Sequence, residues 1–223
     1  MALVALALLA TAPMAKAESY VNVKAGGYIP TGKAKFETQG NGMSFSGGNE
    51  IDLDANFNGE LEYGYNFLSG PTILAVDVGL GYFHTSGDKT GNYNAGNNST
   101  SYKLSSSVDV VPLSFGLIGG IHSGPWRLYG GAGLDILFCS ADADMAIRNV
   151  GGRRYTSDSE TVFGGHVKAG LSYDITDHVF LGAEAKYLMV GNAEFKWKGA
   201  GGTDTASADL NGFLITALVG FRW

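Results

Sequence analysis

The chain has 223 residues, of which 45% are hydrophobic and only 16% charged. Its 34 glycines are about twice the usual share, but no three-residue glycine period exists for a collagen helix. Twelve Phe, eleven Tyr and three Trp exclude a disordered chain, and a formal charge of −6 leaves no basic footprint for nucleic acid. A single cysteine, Cys139, excludes a disulfide framework and a cysteine-based zinc site.

Residues Ala2 to Met14 form an uncharged apolar run, too short for a spanning helix. Ala15-Lys16-Ala17 follows as a small-residue cleavage pattern, so residues 1–17 are expected to be a signal peptide. The mature chain, 18–223, would begin at Glu18 and act outside the cytoplasm.

From there the sequence alternates with period two, the pattern of strands with two different faces. Tyr20–Ile29 sets Val21, Val23, Ala25 and Ile29 against Asn22, Lys24 and Gly26. Glu60–Phe67 sets Leu61, Tyr63, Tyr65 and Phe67 against Glu60, Glu62 and Gly64. Thr72–Phe83, Ser107–Ile121 and Trp126–Phe138 repeat the design, placing Asp77, Ser114 and Asp135 on the second face. Thr161–Tyr173 puts His166 and Lys168 there, and Val179–Met189 puts Glu184 and Lys186 there. Leu210–Trp223 closes the series, with Phe221 and Trp223 opposite Arg222. Pro30–Asn58, Thr85–Ser106, Cys139–Glu160 and Gly191–Asp209 read as long polar loops, expected to be mobile. Between them lie tight turns at Leu68–Pro71, His122–Pro125 and Asp174–His178. Strict alternation of long and short connections predicts an all-β, eight-stranded, antiparallel up-and-down barrel that crosses a membrane.

The second face decides the orientation. It is rich in glycine, which an exposed soluble surface gains nothing from but a narrow barrel interior needs. It also carries Lys24, Lys168, Lys186 and Arg222 with Glu60, Glu62, Asp77, Asp135 and Glu184, and His166 beside them. Buried charges must pair, and this near balance predicts a charge-paired network filling the lumen. The apolar face is then expected to meet lipid. Aromatic girdles would lie at Tyr63, Tyr65, Phe67, Tyr173, Phe221 and Trp223 on the short-turn side, and at Tyr28, Tyr82 and Tyr187 on the long-loop side.

With Tyr20–Pro30, Val111–Leu113, Leu128–Leu134 and Gly220–Trp223 in view, the chain resembles the Gram-negative superfamily of small outer-membrane barrels. That group includes porin-like, opacity-type and outer-membrane protein W-like proteins. The resemblance implies residence in the outer membrane among its lipids and lipopolysaccharide. It also implies insertion by the barrel-assembly machinery, which reads a terminal aromatic; Phe221 and Trp223 occupy that place.

Other motifs carry less. Asp54-Ala55-Asn56-Phe57-Asn58-Gly59 matches half of a calcium loop, but its twelfth position is Tyr65, and Asn-Gly turn chemistry explains it better. His84-Thr85-Ser86 looks like the His-x-Ser element of lipid A deacylases, yet Gly87 and Gly96 stand where those enzymes carry Asn and Glu. No metal or cofactor site is expected. The reading is a non-enzymatic barrel with a plugged lumen and a structural or surface-interaction role, its loops open to an extracellular ligand. The alternative is a carrier of small hydrophobic molecules, with an apolar pocket near Tyr28, Phe83 and Leu188 opening from the long-loop end. A deacylase-like hydrolase is the remote third.

Overall fold

The computed structural model describes residues 18–39, 45–46, 50–68, 71–95, 98–147, 153–199 and 202–223. The proposed signal peptide lies outside them. Thirteen strands follow one another: β1 (Glu18–Pro30), β2 (Lys33–Gln39), β3 (Phe45–Ser46), β4 (Glu50–Asp52), β5 (Asn56–Asn66), β6 (Thr72–Ala95), β7 (Asn98–Ser123), β8 (Trp126–Ile147), β9 (Arg153–Asp174), β10 (Val179–Val190), β11 (Asn192–Gly199), β12 (Gly202–Asp209) and β13 (Gly212–Arg222).

Eight of them, β1, β5, β6, β7, β8, β9, β10 and β13, pair antiparallel in sequence around a ring. The ring closes between the first and last of the eight, with Tyr20 opposite Arg222 and Ala25 opposite Ala217. Closure leaves the ring without an open edge, the arrangement hydrocarbon requires of strands. Of the three short turns expected from the sequence, that from β7 to β8 is the tightest. Ser123 pairs with Trp126, and Gly124 adopts the positive φ of 60° that this two-residue reversal needs.

The pleat sorts the two faces as the alternation predicts. Val23, Leu61, Leu80, Leu117, Leu128, Leu134, Phe163 and Ile215 point outward and are exposed, while Lys24, Glu60, Glu62, Asp77, Asp135, His166, Lys168, Glu184 and Lys186 are buried inside. A soluble barrel would show the reverse. Outward aromatics gather at the short-turn end, where Tyr63, Tyr65, Phe67, Tyr173, Phe221 and Trp223 are all exposed.

Two expectations change. Tyr28 does not join the outer girdle. The pleat carries it inward, where it is fully buried, its ring 4.3 Å from that of Phe83 and its hydroxyl donating to the Leu210 carbonyl at 2.9 Å. The long polar stretches are also not irregular loops in their described parts. β6 to β9 run 22–26 residues, about twice the ~9–11 that cross the hydrocarbon. Their polar halves therefore continue the ladder beyond the membrane, Ala95 still pairing with Asn98 and Ala146 with Arg153. Water tolerates polar side chains on both faces of a strand, so loss of apolar alternation there marks the membrane boundary and not the end of the strand. The first and last long stretches build a second sheet, ordered β11-β12-β2-β4. It is tied to the wall through Asp54 N–H to the Ser86 carbonyl (2.8 Å) and Thr85 Oγ1 to the Asp54 carbonyl (3.0 Å).

Candidate functional site: a layered lumen

The interior is stacked in three layers. The middle one is ionic. Lys24 on β1 reaches Glu60 Oε1 at 3.0 Å, Glu62 Oε2 at 2.7 Å and Glu184 Oε1 at 2.7 Å. Lys168 on β9 bonds Glu62 Oε2 at 2.7 Å and Asp77 Oδ2 at 2.6 Å, crossing the lumen to do so. Lys186 on β10 completes the set on Glu60. All seven side chains are nearly inaccessible to solvent. They come from five strands, so the ion pairs also fix the strands' relative positions across the barrel.

Glu60, Glu62 and Glu184 hold oxygens within 4.8 Å of one another, a spacing that suits a cation. The Lys24 ammonium is the cation seated there. The calcium-loop half-motif contributes nothing similar: Asn56 to Gly59 run into β5, and Asn58 is buried in the wall.

Asp135 and His166 form a separate buried pair at 2.8 Å, with Ser114 Oγ donating to the other Asp135 oxygen. His166 thus bonds a carboxylate rather than standing beside Lys168 as part of the lysine set. Gly133 makes this packing possible. A Cβ there would overlap the Phe115 carbonyl and lie 2.6 Å from His166 Cε1.

Arg222 stands apart from the middle layer. It lies at the short-turn rim, bidentate on Asp174, with Nη1 at 3.0 Å, and its guanidinium sits 4.6 Å over the Phe180 ring. Arg127 and His122 also approach Asp174, at 3.4 and 3.5 Å. The sequence reading missed Asp174 as a hub because it closes a strand where a turn residue is ordinary. Phe221 and Trp223 face outward and stack, ring centres 6.1 Å apart.

Toward the long-loop end the lumen turns apolar. Tyr28, Phe83, Val108, Val110, Leu137, Cys139, Val162, Leu188, Val190 and Leu214 pack into one cluster, completed from the second sheet by Ala193, Phe195 and Ala208. Tyr28, Phe83 and Leu188 do meet, but each is at most 1% exposed. On the outer wall, His84 Nδ1 lies 3.0 Å from Asp109 Oδ1, which also accepts from Tyr82 at 2.6 Å. Thr85, the middle residue of the His-x-Ser element, points into the barrel and is fully buried.

A closed eight-stranded ring with apolar exterior, ionic interior and one elaborated end defines a transmembrane barrel of the Gram-negative outer membrane. The family model of the outer membrane protein beta-barrel domain matches residues 1–221, and the chain belongs to that family. No curated protein sequence matches it. Among solved structures it is similar to the outer membrane protein OprG from Pseudomonas aeruginosa, at 12% identity and TM-score 0.63, covering 95% of this chain and 98% of that one. It is also similar to a major outer membrane protein from Thermus thermophilus (13% identity, TM-score 0.59, 93% and 100% covered). The outer membrane protease OmpT from Escherichia coli matches as well (12%, 0.53, 92% and 97%). At these identities the likeness is one of fold.

Proposed function

We propose that this outer-membrane barrel is non-enzymatic and non-conducting, a structural element of the envelope whose extended outer hairpins serve contacts at the cell surface. One observation supports this reading above the others: the middle of the lumen is spanned by three lysines locked onto four carboxylates. A water-filled pore would leave such groups hydrated; here every one of them bonds a group of opposite charge. The apolar layer above adds a second barrier.

The carrier reading draws on that apolar layer, since Tyr28, Phe83 and Leu188 line it together. To admit a solute from outside, the second sheet would have to lift and the Tyr28–Phe83 stack would have to part. The sealed reading needs no such movement. The partners that go with this proposal are lipid and lipopolysaccharide on the apolar wall, the assembly machinery at Phe221 and Trp223, and an extracellular ligand on the hairpins.

Deleting the chain from its host and restoring it in trans tests the role. A structural element predicts sensitivity to detergents and bile salts on deletion, restored by the wild-type chain, with lipid A unchanged by mass spectrometry in every strain. Normal detergent resistance in the deletion, or altered lipid A acylation on expression, contradicts the proposal.

A further inference from the structure

Outside the lumen, one cluster of titratable side chains stands on the lipid-facing wall. From the membrane toward the long loops, the outward file of β6 reads Leu80, Tyr82, His84, Ser86 and Asp88. The outward file of β7 beside it reads Leu113, Val111, Asp109, Ser107 and Ser105. Both files turn from apolar to polar at one cross-strand pair, His84 opposite Asp109. In a Gram-negative barrel the long loops face the cell exterior, so this pair stands at the level of the outer-leaflet headgroups.

The pair is oriented but not saturated. Asp109 Oδ1 accepts from the Tyr82 hydroxyl at 2.6 Å and from His84 Nδ1 at 3.0 Å. A carboxylate only accepts, so the proton of neutral His84 sits on Nδ1 and Nε2 is left as a lone pair. Asp109 Oδ2 and His84 Nε2 bond none of the described residues, and neither is sealed from the surface, the two side chains being 40% and 32% exposed. Asp109 also lacks a permanent cation among the described residues. Lys103, further out on the same strand, bonds Asp88 at 3.0 Å instead. The cluster therefore presents two acceptors side by side and one net negative charge. A phosphate would be repelled there, and a hydroxyl would leave the charge unmatched. A primary ammonium supplies both the donors and the opposite charge.

We propose that His84 and Asp109 form a seat on the outer wall for the primary ammonium of a lipid headgroup, as phosphoethanolamine carries it, with the acyl chains lying along Tyr82 and Leu80. Phosphoethanolamine is borne by a phospholipid or by the phosphates of lipopolysaccharide, and the chemistry of the seat is the same for both. The seat sharpens the lipid partnership proposed for the wall. It is indifferent to whether the lumen conducts, so conductance tests that reading and headgroup preference tests this one.

The test uses the mature barrel with 13C-labelled histidine in phosphatidylglycerol nanodiscs, at mildly alkaline pH where imidazole is neutral. His122 and His178 at the short-turn rim and His166 in the lumen serve as controls. Replacing part of the lipid by phosphatidylethanolamine should shift the His84 ring signal saturably and leave the other three in place. Phosphatidylcholine, whose methylated ammonium donates nothing, should bind about tenfold more weakly or worse, the worth of a hydrogen bond to a charged group. Asp109→Asn removes the charge from a partly exposed position; it should abolish the preference while the barrel still migrates as folded on unheated gels. Lipopolysaccharide with and without phosphoethanolamine on its phosphates distinguishes the sources: a shift with the substituted form alone assigns the seat to the glycolipid, and no shift with either assigns it to the phospholipid. A His84 signal that ignores phosphatidylethanolamine, equal affinity for the two ammonium lipids, a preference that survives in Asp109→Asn, or a shift that needs magnesium and disappears on chelation would each overturn the proposal.

Discussion

Replacing Lys24 by methionine keeps an unbranched side chain one atom shorter and removes the charge at the centre of the ionic layer. Three carboxylates lose a partner, but not equally. Glu60 retains Lys186, and Glu62 retains Lys168. Glu184 keeps only the Tyr129 hydroxyl at 3.0 Å and Lys168 at 4.0 Å. Removing one partner of a buried ion pair typically destabilises by about 3–5 kcal/mol, because the remaining charge stays buried without compensation. That corresponds to about two to nearly four powers of ten in the folding equilibrium. Reversible urea unfolding in lipid vesicles, followed by tryptophan fluorescence and gel migration of unheated samples, measures it. The decisive comparison is a sign change at Glu184. Glu184→Gln should destabilise the wild type, where it removes the negative charge from the 2.7 Å contact with Lys24. In the Lys24→Met background the same change should restore about 1–3 kcal/mol, within the usual range for coupled neighbours. A loss below about 1 kcal/mol for Lys24→Met, or a Glu184→Gln effect of the same sign in both backgrounds, would refute the view that these charges hold one another in place.

Four further outcomes are expected. Gly64→Val should block folding in vesicles, since a Cβ there would overlap the Tyr20 ring, and Tyr20→Ala in the same chain should recover it. Cys139, 2% exposed within the apolar layer, should resist maleimide in the folded barrel and react fully in urea; rapid labelling of folded protein would show the layer to be open. Removing Trp223 should lower the amount assembled in the outer membrane without affecting export, as fractionation and heat-shifted gel migration report. Acid should loosen the second sheet. Glu50 lies 3.3 Å from Lys33 and 3.4 Å from Lys35, and the hydrogen bond from Lys33 holds its carboxyl below the usual carboxylate range. A lowered folded value stabilises above the unfolded value of about 4.3 and loses that contribution as pH falls below it. Amides of β2 and β4 should therefore exchange faster than their intrinsic pH dependence only below about pH 4, by a small factor since the pair is exposed.

The membrane wall was legible in the sequence because hydrocarbon allows one solution: apolar out, anything else in, every second residue. Leu61 and Leu80 against Glu60 and Glu62 state it directly. The outer half was not legible, because Thr85–Ser106 and Cys139–Glu160 carry too few apolar residues at every second position to betray a strand; the ladder that orders their described parts is backbone pairing, which side-chain pattern does not encode. Tyr28 shows the other limit. Its phase marks it as inward, but an aromatic at the membrane boundary also fits a girdle, and only the neighbouring Phe83 ring and the Leu210 carbonyl decide between them. The partners within the lumen lie between strands far apart in sequence, such as Lys168 with Asp77. Composition gave the set of charges, but the three-dimensional register chose the pairs, and it sent Arg222 to Asp174 instead.

Single-channel recording of the refolded mature barrel in planar bilayers tests the sealed lumen most directly. A sealed lumen gives insertion without resolvable current steps for the wild type, and steps on clearing the ionic and apolar layers together, as in a chain carrying Lys24→Ala, Glu60→Ala, Tyr28→Ala and Phe83→Ala. Steady, ohmic steps from the wild-type barrel would contradict it.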